Sequence, residues 1–182
     1  MNKKYILIGD SLIEQWNEKR KSELISFGIH AFGVGGQTSS EIINRIERDA
    51  LSLDPDKTAI LAGINDIAEN RGKYNEDIVV DNLIRGCKLI QKKCNPVIFT
   101  LPPARNFYWN PSIDPMPLII SINKTIFDFS SYHGWQLFDV FPLLLGEDGN
   151  ISNHFTTDGV HLSEAAYRKL EPNLISVLND KN

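Results

Sequence analysis

Only two cysteines, Cys87 and Cys94, occur among 182 residues, seven positions apart near the end of one helical pattern. So large a chain with so few cysteines is not a disulfide-stapled scaffold, and both read as free thiols. No apolar run approaches the roughly 20 residues needed to span a bilayer. The basic start, Met1-Asn2-Lys3-Lys4, leads into apolar Tyr5-Ile6-Leu7-Ile8, which stops at Gly9-Asp10. A secretory signal needs about 7–15 apolar residues and a small-residue cleavage site. The segment therefore reads as a first strand, and the expected location is the cytoplasm. Excess positive charge is also missing: 19 Lys and Arg against 23 Asp and Glu leave a formal net charge of −4. A phosphate-tracking nucleic-acid surface is not expected from that balance. With no repeat, low-complexity tract or linker, residues 1–182 read as a single domain able to bury a full core.

What the chain does contain is a regular alternation of short apolar runs and helical patterns. Strands are expected at Tyr5 to Ile8, Ile29 to Val34, Thr58 to Ala62, Val97 to Leu101 and Gln136 to Val140. The first, third and fourth are almost continuously apolar, as parallel strands covered on both faces are. Ile42, Ile43, Ile46, Ala50 and Leu53 form one helical stripe; Val79, Leu83, Cys87 and Ile90 form a second. Leu118, Ile119, Ile122, Ile126 and Phe129 form a third. Thr38 with Glu41 fits a capping box, and Ser163 fits a cap over Ala165, Ala166 and Leu170. Pro172 interrupts this last pattern and predicts a kink or break near Glu171. The alternation predicts a three-layer α/β/α domain with a five-stranded parallel sheet in the flavodoxin-like order 2-1-3-4-5. Such sheets bind ligands beyond the carboxyl ends of their strands.

Four short motifs fall at those ends. Gly9-Asp10-Ser11 follows the first strand and opens a helix, where a free backbone N–H and the helix dipole favour negative charge. Taken alone it is equally a helix cap. Gly33-Val34-Gly35-Gly36 follows the second strand. A dinucleotide loop would need glycine where Thr38 stands and normally follows the first strand, so a backbone N–H donor from Gly36 is preferred. Gly63-Ile64-Asn65-Asp66 follows the third strand. Its Asn65 amide suits a developing oxyanion, with an Asx turn as the plainer alternative. Asp158-Gly159-Val160-His161 precedes the last helix, at a spacing that lets the carboxylate orient the imidazole toward a serine. Each has a structural explanation by itself. Together they supply a nucleophile, two oxyanion-type donors and an Asp/His pair on one sheet edge.

These blocks resemble the SGNH/GDSL hydrolase family over nearly the whole chain. Ser11, Gly36 within Gly-Val-Gly-Gly-Gln-Thr, Asn65 within Gly-Ile-Asn-Asp, and Asp158 with His161 match its blocks in order, and Leu101-Pro102-Pro103 matches a further turn. Ser11-Leu12-Ile13 departs mildly from the usual threonine two residues on from the serine. The chain is most similar to the platelet-activating-factor acetylhydrolase type and to lysophospholipase-like small esterases. The resemblance implies a serine esterase without cofactor or metal, acting on a small-molecule ester. Ser11 would be the nucleophile, His161 its base and Asp158 the residue orienting the base. The N–H groups of Ser11 and Gly36 and the Asn65 amide would hold the oxyanion. Asp10 braces the turn.

Other features compete for attention. His154, Asp158 and His161 also read as metal ligands, but no fourth ligand is evident nearby. His30 lies in a strand and reads as structural; His133 ends a helix, where a cation suits the dipole. Phe107, Tyr108 and Trp109 lie on a long loop at the active edge and suit a substrate-pocket wall or lid. The loop from Phe141 to Thr157 would form the opposite wall, and Arg105 reads as a solvated surface residue. Carbohydrate deacetylation and thioester hydrolysis fit the same site. A nucleotide- or flavin-binding module would explain the glycines but not Asn65, Asp158 and His161. A catalytically idle interaction domain would leave the full set of five residues without a use.

Overall fold

The computed structural model describes residues 3–180. Its five strands are β1 (Tyr5–Gly9), β2 (Ile29–Gly33), β3 (Lys57–Leu61), β4 (Asn95–Phe99) and β5 (Gln136–Phe138). All neighbours pair in parallel, in the order β2-β1-β3-β4-β5. The central strands β1 and β3 are buried at every residue, whereas edge strand β2 turns His30 to solvent. Covered faces therefore account for the unbroken apolar runs. Pro96 stands in a central strand, but β5 begins pairing only at Val97, so its missing N–H removes no bond on that side.

Long helices cover both faces. They are α1 (Ser11–Ser26), α5 (Glu76–Gln91), α6 (Pro115–His133) and α8 (Glu164–Asn179), with short helices α2 (Ser39–Ile43), α3 (Ile46–Asp49), α4 (Ile64–Ile67) and α7 (Phe141–Leu144). α1 packs beside α8, and α5 packs beside α2, α3 and α6. The α1–α8 seam is closed by Trp16 stacked on Tyr167, with ring centroids 5.0 Å apart, and by the Tyr167 hydroxyl donating to the Leu12 carbonyl at 2.7 Å. A buried two-pronged ion pair lies in the same seam: Arg20 Nε and Nη2 each donate to Glu171 at 2.9 Å. At the far end of the sheet, the Tyr5 hydroxyl in β1 donates to Asn179 Oδ1 at 3.0 Å.

Of the expected kink or break near Glu171, the break is absent. α8 continues from Glu164 to Asn179, because Pro172 and Arg168 face solvent, where water can satisfy the carbonyl that proline leaves free. Leu170, Leu174 and Leu178 hold the other face in the core. The helix distortion lies instead in α1, at Arg20, with φ −136° and ψ 26°. The expected Ser163 cap is present, accepting from the Ala166 N–H at 3.2 Å. At Thr38, both the N–H and the hydroxyl donate to Glu41 at 2.9 Å.

Candidate active site

Asp10 is sealed from solvent and caps α1, its Oδ1 accepting the Leu12 N–H at 2.9 Å. That bond fixes the strand-to-helix turn and makes Ser11 the first residue of α1. Burial pushes the Asp10 carboxyl up to about 7, against the lowering effects of the Leu12 N–H, His161 and Arg45. Its second oxygen has no hydrogen-bond partner among the described residues. Helix α1 crosses the end of β2 so closely that a Cβ on Gly33 would lie 1.9 Å from the Glu14 nitrogen, which is why this position is glycine.

Ser11 Oγ lies 3.1 Å from His161 Nε2, and His161 Nδ1 lies 2.6 Å from Asp158 Oδ2. An ionised carboxylate only accepts, so Nδ1 carries the proton and Nε2 presents its lone pair to the serine. The other Asp158 oxygen accepts the N–H groups of Val160 at 2.9 Å and His161 at 2.8 Å. Partial burial raises the Asp158 pKa, but the His161 ring and these two backbone donors outweigh it and hold the carboxyl below its ordinary range. The turn is fixed from outside as well. Thr156 Oγ1 donates to the His161 carbonyl at 2.9 Å, and the Arg105 N–H donates to the Gly159 carbonyl at 2.8 Å.

The glycine loop runs beside Ser11: a Cβ built on Gly35 would lie 3.8 Å from the Ser11 Cβ. Gly36 has φ +74°, in the left-handed region that glycine enters without penalty. Asn65 is buried at the start of α4, and its Nδ2 donates to the Gln37 carbonyl at 3.0 Å, leaving its second amide hydrogen unassigned. Asp66 accepts the Ser39 N–H at 2.7 Å and hydroxyl at 2.8 Å, stitching the third motif to the start of α2, just after the second. Burial raises the Asp66 pKa despite those bonds.

Two organising residues lie outside the motifs read from sequence. Arg45 is buried and donates to the carbonyls of Gly9 and Phe32, to Gln37 Oε1 at 2.7 Å, and to Asp49 at 3.1 Å. It ties the ends of β1 and β2 to the glycine loop. An arginine inside the Ile42, Ile43 and Ile46 stripe was the available sign of a buried charge with carbonyl partners. Asn70 reaches both Asn65 and Gly36, and no local spacing marks it.

The GDSL-like lipase/acylhydrolase family profile matches residues 7–169. The chain belongs to this family. A GDSL-like lipase of Bacteroides thetaiotaomicron has a closely similar structure, with a TM-score of 0.92 and 28% identity over 97% of this chain and 88% of that one. The lipase/acylhydrolase of Enterococcus faecalis shares the fold at a TM-score of 0.77 and 19% identity, over 96% of this chain and 94% of its own. Among curated proteins, the alpha1 subunit of rat platelet-activating factor acetylhydrolase IB is 23% identical over 165 residues, which cover 89% of this chain and 69% of that subunit. The chain is thus a GDSL-type ester hydrolase.

Within this GDSL fold the remaining candidates separate. His154 is exposed and lies edge-on to Phe155. Among the described residues, no group of three His, Cys, Asp or Glu side chains is arranged to hold a metal. His133 ends α6 and stacks on Trp135 with centroids 4.2 Å apart. Phe107 is completely buried and belongs to the core, so it is no part of a substrate wall. Tyr108 and Trp109 remain exposed and pack edge to face. Arg105 is not a solvated surface residue: its Nη2 donates to Asp148 at 2.7 Å and to the Ile151 carbonyl at 3.0 Å. It joins the two loops that flank the Asp158–His161 turn. Cys87 and Cys94 are free.

Proposed function

We propose that this protein is a serine esterase that cleaves short-acyl carboxylic esters through an acyl-enzyme. The observation that carries the reading is the unbroken hydrogen-bonded line from Ser11 through His161 to Asp158. Ser11 Oγ attacks the ester carbonyl carbon while His161 Nε2 takes its proton. The carbonyl oxygen becomes an alkoxide, facing the N–H groups of Ser11 and Gly36 and the Asn65 amide. The intermediate collapses, the carbon–oxygen bond to the leaving alcohol breaks, and His161 returns the proton to that alcohol. Water then attacks the acyl-enzyme, giving its proton to His161, and Ser11 is released with the carboxylic acid. Asp158 keeps the productive tautomer and stabilises the imidazolium without itself taking the proton.

The acyl preference draws support from the acetylhydrolase relative. The exposed Tyr108–Trp109 pair suits a leaving group with a flat apolar face, such as an aryl group or one face of a sugar ring. The test is a chain-length series of p-nitrophenyl esters, run beside acetylated sugars and lysophospholipids. Acetyl or propionyl esters should turn over fastest, Ser11→Ala should be inert, and a fluorophosphonate should label Ser11 alone. Labelling elsewhere, or turnover surviving Ser11→Ala, removes the proposal.

A further inference from the structure

Asn70 follows α4, where the backbone enters the left-handed region at Glu69 with φ +60°. That conformation is uncommon outside glycine and asparagine and is kept where the surroundings impose it. It folds the chain back, so that the Asn70 N–H donates to the Asn65 carbonyl at 3.1 Å and the Asn70 side chain lies over Asn65. Asn70 Nδ2 donates to Asn65 Oδ1 at 2.8 Å and to the Gly36 carbonyl at 3.4 Å. Asn70 Oδ1 accepts the indole N–H of Trp109 at 3.0 Å. One carboxamide thus touches both loops that carry the proposed oxyanion donors, and the aromatic loop as well.

The direction of this chain is not arbitrary. A carboxamide can be turned end for end at little cost in shape, exchanging a donor for an acceptor. An indole N–H only donates. Trp109 and the Gly36 carbonyl, which only accepts, together oblige Asn70 to present its oxygen outward and its nitrogen inward. Asn65 must then offer its oxygen to Asn70 and its nitrogen to the Gln37 carbonyl. The second hydrogen of that Asn65 nitrogen is left to face substrate. Were Asn65 reversed, its nitrogen would meet the Asn70 nitrogen and its oxygen the Gln37 carbonyl, two mismatches in a buried site. The loop is held down independently by Asn110 Nδ2, which donates to the Ala68 carbonyl at 3.2 Å.

We infer that Asn70 is a positioning residue for the oxyanion donors, and that Trp109, by reinforcing which way Asn70 points, couples the aromatic loop to catalysis. This rests on the esterase reading above. Asn70 touches neither the nucleophile nor its base, so its effect on rate passes through Asn65, the 3.4 Å contact with Gly36 being too long to add much.

The experiment is a kinetic cycle on p-nitrophenyl acetate. Asn70→Ala should lower kcat by about 10- to 100-fold, less than the roughly 10²–10³ for loss of an oxyanion donor itself, with KM within about twofold. Asn70→Asp should fall at least as far, because a carboxylate gives Asn65 no donor. Trp109→Phe keeps an aromatic side chain and removes the N–H together with the pyrrole half of the indole. It should lower kcat by roughly 3- to 10-fold, again with KM nearly unchanged. In an Asn65→Ala background, each substitution should add less than about a factor of two. Independent, multiplying losses in that background overturn the inference, as does a change confined to KM or an unchanged kcat in Trp109→Phe. Trp109 is partly exposed, so that variant keeps the question open to measurement even if Asn70→Ala folds poorly. A wild-type protein inert toward every ester sinks the esterase reading and this inference with it. An active wild type with unaffected variants sinks the inference alone.

Discussion

Asp10 stands immediately before Ser11 with one carboxylate oxygen on the Leu12 N–H and the other without a hydrogen-bond partner among the described residues. Its pKa near 7, raised by burial, gives a pH dependence whose sign can be worked out. Between the ordinary aspartate value and about 7, the folded chain keeps a proton that the unfolded chain has released. The folded state then binds more protons, so this group's contribution to stability falls as pH rises through that window and is level above it. Asp10→Asn is neutral throughout. Its stability relative to wild type should improve between about pH 4 and pH 7, by on the order of 4 kcal/mol at most. Parallel denaturation curves for the two proteins across that range would contradict the assignment. The proposed roles at Ser11, His161 and Asn65 make a separate statement about rates. Asn65→Ala should lower kcat by about 10²–10³ with little change in KM. Ser11→Ala and His161→Ala should each cost nearly as much as both together, because half of a nucleophile–base unit does not work. Additive losses in steady-state kinetics would contradict that unit.

At the scale of elements, the α1–α8 seam joins the helix that begins at Ser11 to the helix that follows His161. Arg20 and Glu171 pair inside it with both side chains 9% exposed, and Trp16 Nε1 donates to the same carboxylate at 3.4 Å. Removing Glu171 takes away both buried hydrogen bonds of the Arg20 guanidinium and leaves it only the more exposed Glu23 at 3.0 Å and Glu164 at 3.5 Å. Glu171→Leu should therefore destabilise by about 2 kcal/mol, whereas adding Arg20→Met should recover much of the loss. Urea unfolding of the two single variants and the double variant measures this, and a double variant worse than either single would refute it. The same seam shows where sequence reasoning stops. Pro172 carries a local rule against helices, but its solvent-facing position makes the rule inexpensive to break. Arg20 carries no local signal for distortion, yet α1 bends there to meet Glu171 on a helix about 150 residues away. Similarly, Phe107, Tyr108 and Trp109 are adjacent aromatics in an irregular loop. Nothing in their order tells the buried ring from the exposed pair. Asn70 stayed invisible because its partners, Gly36 and Trp109, are 34 and 39 residues distant.

For the molecule as a whole, the strand order was legible because alternation and unbroken apolar runs are properties of covered parallel strands, and the sheet shows both. Strand limits shifted by one to two residues, as β3 and β4 begin earlier than the apolar pattern suggests, at Lys57 and Asn95. Position at the carboxyl edge also bears on cofactors. The chemistry proposed for Ser11, His161 and Asp158 needs no metal, so esterase activity should be unchanged after EDTA treatment and dialysis. Loss of activity that zinc restores would return attention to His154. A final consequence follows from Tyr5 meeting Asn179 and α1 meeting α8. The proposed nucleophile directly follows β1, at the heart of the sheet, and its base shortly precedes α8, 150 residues farther along. A chain divided in the 104–113 loop separates the half bearing Ser11, Gly36 and Asn65 from the half bearing Asp158 and His161. Ester turnover by such a pair would appear only as the halves reassemble, so the active site doubles as a gauge of whether the molecule has closed upon itself.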